Sequence, residues 1–147
     1  MIPRTIKLVT MRNKMFFALV NKSSKIWKSF YLIVRRSDHQ WQQDVTENLR
    51  ESSAPWYDQR DRYNLFVYGS VISRKFGKSV LRNRARRLIK AAILELYQEN
   101  KISDNVMKYS YIFIPRNPIL NMSWQDLKSN ILHILYFLNS SKNKDYI

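Results

Sequence analysis

The densest chemical signal in this chain is a run of cations between Ser73 and Lys90. Ser73, Arg74 and Lys75 precede Gly77 and Lys78, and Arg82, Asn83, Arg84, Arg86, Arg87 and Lys90 follow closely. Guanidinium groups offer planar, multidentate contact to phosphate, and Asn can bond both sugars and base edges. The chemistry these residues suit is therefore phosphate binding. Groups for protein-based catalysis are sparse by comparison. With no Cys in the chain, disulfides, thiolate zinc sites and cysteine nucleophiles are all excluded. Of the two His, His39 lies in an acidic stretch and His133 on the polar side of a predicted helix, so both read as solvated. Six of the 11 carboxylates fall between Asp38 and Asp61, and no pair has the spacing of a two-metal nuclease site. No catalytic residue and no metal ligand is assigned.

The charge is segregated along the chain. The 147 residues carry 26 Lys and Arg against 11 Asp and Glu, a net charge of +15. Residues 1–37 hold nine cations and no acid, and residues 62–94 again hold nine and no acid. Between them, residues 38–61 are net −4, and residues 95–147 are nearly balanced. A folded domain this basic points to a polyanionic partner, since neutralising phosphates releases counterions. Nucleic acid comes first, and a membrane surface has only the charge in its favour. No run reaches the roughly 18 apolar residues of a membrane span, and the Met15–Val20 stretch is too short for a signal peptide. The basic N-terminus leaves an organelle transit peptide as the alternative to a cytoplasmic protein.

These cations need a scaffold, and 45% hydrophobic residues suffice to build a core. The length fits one domain over residues 1–147. Thr10 could cap a helix over about residues 11–21, and Phe30–Val34 reads as a strand. Residues 37–62 are polar and aperiodic, a long loop or insertion. Tyr63–Ser73 alternates like a strand, or parts of two. Over residues 79–98, Leu81, Ala85, Leu88, Ile89, Ala92 and Leu96 make one apolar helical stripe, with Arg82, Arg86 and Lys90 along its flank. Tyr109–Ile114 is a further strand, and Ser123 opens a last helix whose apolar face carries Trp124, Leu127, Ile131, Ile134, Leu135 and Leu138. Residues 140–147 read as a disordered tail. The fold class is α+β, in the order α-β-β-β-α-β-α, a small ribosomal-protein-like sandwich of helices packed on a mixed sheet. Phe16, Trp27, Phe30 and Tyr31 interleave with the first basic block, a pattern found in single-strand binders. Phe76, in what reads as an exposed turn between Lys75 and Gly77, is the aromatic least readily assigned to the core.

The stretch Gly69-Ser-Val-Ile-Ser-Arg-Lys-Phe-Gly77-Lys-Ser-Val-Leu-Arg82-Asn-Arg-Ala-Arg-Arg87 resembles the signature of the bacterial ribonuclease P protein component. Tyr111–Arg116 looks like that family's last strand ending in Arg, and the segments at Met15-Phe16 and from Trp124 look like its first and last helices. Residues 37–62 stand where the family has a short hairpin, Ser23 replaces a common Gly, and Val20 and Val34 occupy positions where the family tends to carry cleft aromatics. The resemblance implies a ribonucleoprotein subunit whose RNA partner uses Mg²⁺ to remove the 5′ leader of precursor tRNA. It implies that Arg82, Asn83, Arg84 and Arg87 face the catalytic RNA, with Ser73, Arg74, Lys75 and Lys78 on the approach. Phe16, Arg86 and Lys90 would line a cleft for the leader. The implied partners are that RNA and precursor tRNA, with no membrane and no small-molecule substrate. The implied compartment is the bacterial cytoplasm, with an organelle matrix as the alternative. A non-enzymatic RNA-binding module, such as a ribosomal protein or RNA chaperone, is the competing class.

Overall fold

The apolar stretch after Lys108 becomes the middle of a five-stranded mixed sheet. The computed structural model describes residues 6–10, 25–40 and 64–140. The strands are β1 (Ile6–Thr10), β2 (Lys25–Lys28), β3 (Leu32–Gln40), β4 (Asn64–Ser70) and β5 (Tyr109–Pro115), in the spatial order β1-β4-β5-β3-β2. Central β5 is buried on both faces, as its near-continuous apolar sequence requires. It runs parallel to β4 and antiparallel to β3. Parallel neighbours need a crossover, and helices α1 (Ser79–Gln98) and α2 (Asp104–Met107) occupy it. Helix α3 (Trp124–Leu138) follows β5.

One sheet face carries the main core. Phe66, Tyr68, Tyr111, Phe113, Leu32 and Val34 meet the stripe of α1 and the apolar face of α3. The rings of Phe66 and Tyr111 stack at 5.3 Å. Ala85 and Ala92 are fully buried, and such small side chains let α1 lie close to what it covers. Each large side chain removed from water here contributes about 1.5–3 kcal/mol. Val67 and Ile112, on the alternate face, are buried as well.

The α+β class, the long helix at 79–98 and the last helix agree with the sequence reading. The element order differs. Among the described residues it is β-β-β-β-α-α-β-α, with β1 and β2 as edge strands that four or five residues of sequence do not announce. The strand expected at Phe30 begins at Leu32, because Ser29 closes a turn there. Its N–H donates to the Leu32 carbonyl at 3.1 Å, so Phe30 and Tyr31 form a hairpin corner. Polar Ser37–Gln40, assigned to the insertion, continues β3. The register shifts between Arg36 and Gln40, and Ser37 Oγ accepts from Ser110 N–H at 3.1 Å there. Expectations for the helix at 11–21, for Phe16, for the insertion beyond Gln40 and for the tail beyond Ser140 lie outside the described residues.

Two cations belong to the interior. Arg36, in the first acid-free block, is buried; Nη1 donates to the Leu138 carbonyl and to Asn139 Oδ1, each at 3.1 Å. Its Nε donates to the Ser37 carbonyl at 3.0 Å, and the guanidinium lies 3.8 Å from the Tyr109 ring centroid. A cation suits this place, because carbonyls at a helix C-terminus carry partial negative charge. Lys128, also buried, bonds Glu95 at 2.7 Å and pairs with Glu99, joining α3 to α1. Trp124 Nε1 adds a bond to Glu95 at 3.1 Å.

Candidate nucleic-acid interface

The start of α1 inverts the usual rules for a helix N-terminus. The other two helices among the described residues follow them: Ser103 Oγ accepts from Val106 N–H, Ser123 Oγ accepts from Asp126 N–H, and Asp104 and Asp126 occupy the first turns. Helix α1 instead begins after Lys78, with no side-chain cap and no acid in its first turn. Cations at the positive end of a helix dipole destabilise it locally. The same arrangement, exposed N–H groups ringed by Arg and Lys, is complementary to an anion.

Arg74, Lys75, Lys78, Asn83, Arg84, Arg86, Arg87 and Lys90 are exposed, as is Ser73, and Arg82 is half-buried. None of these cations pairs with a carboxylate among the described residues. Asn83 Oδ1 accepts from Arg86 Nη1 at 2.9 Å, which holds the two side chains together on the helix surface. Glu95 of α1 and Glu99 at its C-cap lie about 20 and 26 Å along the axis from Arg82, at 1.5 Å per residue. They are already engaged with Lys128. Among the described residues, no acid offsets the charge of the basic half.

A tight turn leads into that half. Gly77 has φ 150°, and a Cβ there would stand 2.9 Å from Leu81 Cδ1. This backbone region is nearly exclusive to Gly, so Gly77 sets the angle between the Ser73–Phe76 turn and α1. Phe76 is not the exposed aromatic that its polar neighbours suggested. It is buried in the main core, and its carbonyl accepts from Asn117 Nδ2 at 2.8 Å. The anchored ring leaves Arg74 and Lys75 directed outward.

A cavity of about 430 Å³ opens beside this turn. Ile33, Val71, Ile114 and Pro115 give it apolar walls, and Ser73, Lys75, Arg116 and Asn117 its polar ones. Among the described residues, no carboxylate lines it. It lies where parallel β4 and β5 both end, an edge at which open sheets commonly bind ligands. The structure thus brings Ser73 and Lys75, expected on the approach to the catalytic RNA, to a cleft that Arg86 and Lys90 do not line. Arg116 and Asn117 were missed as site residues; a cation directly after a strand-ending Pro was the available signal. The aromatics of the first block divide. Tyr31 is buried, Trp27 packs on Phe137 at 4.9 Å and on His133 at 5.4 Å, and Phe30 is exposed. Burial holds the Tyr31 hydroxyl protonated to higher pH than usual, partly offset by its hydrogen bond with Ser29.

The Ribonuclease P family model matches residues 7–138. The chain belongs to the Ribonuclease P protein family. It is similar to the ribonuclease P protein component of Clostridium botulinum, 37% identical over 76 residues that cover 52% of this chain and 65% of that relative. The same component of Geobacillus kaustophilus is 34% identical over 70 residues, covering 48% of this chain and 54% of its own length. The matched stretch thus spans less than two thirds of these relatives. Among solved structures, the Staphylococcus aureus RNase P protein aligns over 89% of this chain and 95% of its own, with a TM-score of 0.54 at 21% identity. The Thermotoga maritima protein aligns over 86% and 94%, with a TM-score of 0.55 at 17% identity. These likenesses establish the fold. Among the described residues, no helix is long and apolar enough to cross a membrane.

Proposed function

We propose that this chain is the protein subunit of a ribonuclease P, which matures the 5′ end of tRNA. The observation that carries the proposal is the cation array around the start of α1, unpaired with any carboxylate among the described residues, in a member of this family. Arg82, Asn83, Arg84 and Arg87 bind the backbone of the catalytic RNA, with Arg74 and Lys78 beside them. The leader of precursor tRNA lies in the adjoining cleft, where Lys75, Arg116 and Ser73 meet its phosphates and the apolar walls receive unpaired bases. Arg86 and Lys90 carry the strand along the helix flank. Mg²⁺ belongs to the RNA partner and supplies the chemistry of hydrolysis there. This chain's residues bind and orient, and its place of action is the bacterial cytoplasm.

The test is reconstitution. RNA recovered with the purified chain is sequenced, and precursor tRNA is offered to the chain alone and to the complex. Cleavage by the complex and none by the chain is the expected result. Robust cleavage by RNA-free protein refutes the proposal, and recovery with ribosomal RNA alone assigns the chain to the ribosomal-protein or chaperone class.

A further inference from the structure

The cleft does not end at Arg116. The N–H of Arg116 donates to the Tyr31 carbonyl at 2.9 Å, joining the cleft's basic wall to the corner between β2 and β3. Ser29 holds that corner from within, with Oγ 2.8 Å from the Leu32 carbonyl and accepting from Leu32 N–H at 3.2 Å. At the outside of this fixed corner stands Phe30, 74% exposed, while its neighbour Tyr31 is 7% exposed. The two rings meet edge-on at 5.3 Å, so a rigid partner orients the exposed ring. A ring held in this way offers a flat apolar face on which a base can stack.

Lys28 places charge beside it. Lys28 pairs directly with Ile33 across the β2–β3 ladder, and residues directly opposite share a sheet face. Ile33 lines the cleft, so exposed Lys28 stands on the cleft's face, one strand further out. No acid occurs between Lys25 and Arg36. A flat ring that follows Lys28 by two residues and precedes the Tyr31 carbonyl bonded by Arg116 is complementary to a chain that alternates flat rings with negative charge. Single-stranded RNA is such a chain.

We propose that Phe30 is a base-stacking residue and Lys28 a phosphate contact, which together extend the cleft by one unpaired nucleotide beyond Arg116. This rests on the reading of the cleft as a binding site for single-stranded RNA. Because Phe30 buries little, its replacement leaves the fold intact and isolates the contact.

The experiment measures binding of the full chain to a fluorescein-labelled oligoadenylate of about ten nucleotides. The same strand is then tested with one abasic site moved along it. Phe30→Ala is expected to weaken binding roughly fivefold or more, and Phe30→Trp to retain it. At one position, the abasic strand should lose affinity for the parent chain and no further affinity for Phe30→Ala. Lys28→Ala should reduce the log–log salt slope by roughly 0.7, a change that Phe30→Ala does not make. Unchanged affinity of Phe30→Ala, with Lys75→Ala and Arg116→Ala both weakened, overturns the extension and leaves the cleft standing. If Lys75→Ala and Arg116→Ala are neutral too, the cleft reading falls and the extension with it. A change in sedimentation of the RNA-free protein on Phe30→Ala marks a protein contact and overturns the proposal.

Discussion

Asn117 Nδ2 donates to the carbonyl of Phe76 at 2.8 Å, tying the loop after β5 to the turn that carries Arg74 and Lys75. The bond joins the two polar walls of the cleft. It also uses a side chain where the backbone of the turn, closed only by its own short-range bonds, has no ladder to hold it. Asn117→Ala removes it and should lower stability by about 1 kcal/mol. The larger effect is expected on affinity for single-stranded RNA, because Lys75 and Arg116 lose their fixed separation. Equal affinity for parent and variant in a titration would show that the walls are held by other means.

Gly77 makes a second local test. Gly77→Ala places a methyl group 2.9 Å from Leu81 Cδ1 and demands a backbone conformation that L-residues avoid. A loss of roughly 1–3 kcal/mol is expected in denaturant unfolding. Loss of RNA binding should accompany it even below the unfolding midpoint, since the turn and α1 can no longer present their cations together.

Arg82 and Arg84 are expected to bind phosphate rather than to stabilise the fold. Replacing each with Ala should leave the melting temperature nearly unchanged and reduce the salt slope of RNA assembly by roughly 0.7–0.9 per lost contact. An unaltered slope would remove these residues from the interface.

Arg36 should behave in the opposite way. Arg36→Ala strips partners from the Ser37 and Leu138 carbonyls and from Asn139, and hydrogen bonds to a charged group are worth about 1.5–3 kcal/mol each. Unfolding should therefore become easier by at least about 2 kcal/mol. The salt dependence of RNA binding, measured on the folded variant, should match the parent's.

The Lys128 cluster links stability to pH. Lys128 and then Lys101, both bonded to Glu99, hold its carboxyl below the ordinary 4.5, and bonds to Glu95 and Glu99 hold the Lys128 ammonium above 10.5. A lowered acid stabilises above its unfolded value and loses that contribution as pH falls through the folded one. A raised base stabilises below its unfolded value and loses that contribution as pH rises through the folded one. The melting temperature should thus be flat between these limits and fall on the acid side below about pH 4.5. Lys128→Met should flatten the part of that acid limb that comes from Glu99.

Local sequence alone sufficed for the two long helices and the family. Helical period, Ser123 as a cap and the spacing of Arg82, Asn83, Arg84, Arg86 and Arg87 are local properties that neighbours in the chain carry together. Tertiary structure decided which cations face water. Arg36 and Lys75 look alike along the chain, yet one terminates α3 from inside the core and the other lines a cleft. It also decided that Phe76 is core, against what its polar neighbours suggest, and that of the adjacent Phe30 and Tyr31 only Phe30 is exposed. The cleft itself depends on residues 41 apart, such as Phe76 and Asn117, meeting at the ends of two parallel strands. Parallel pairing is a long-range choice, made when the whole apolar surface of sheet and helices is buried at once, and no short window of sequence encodes it.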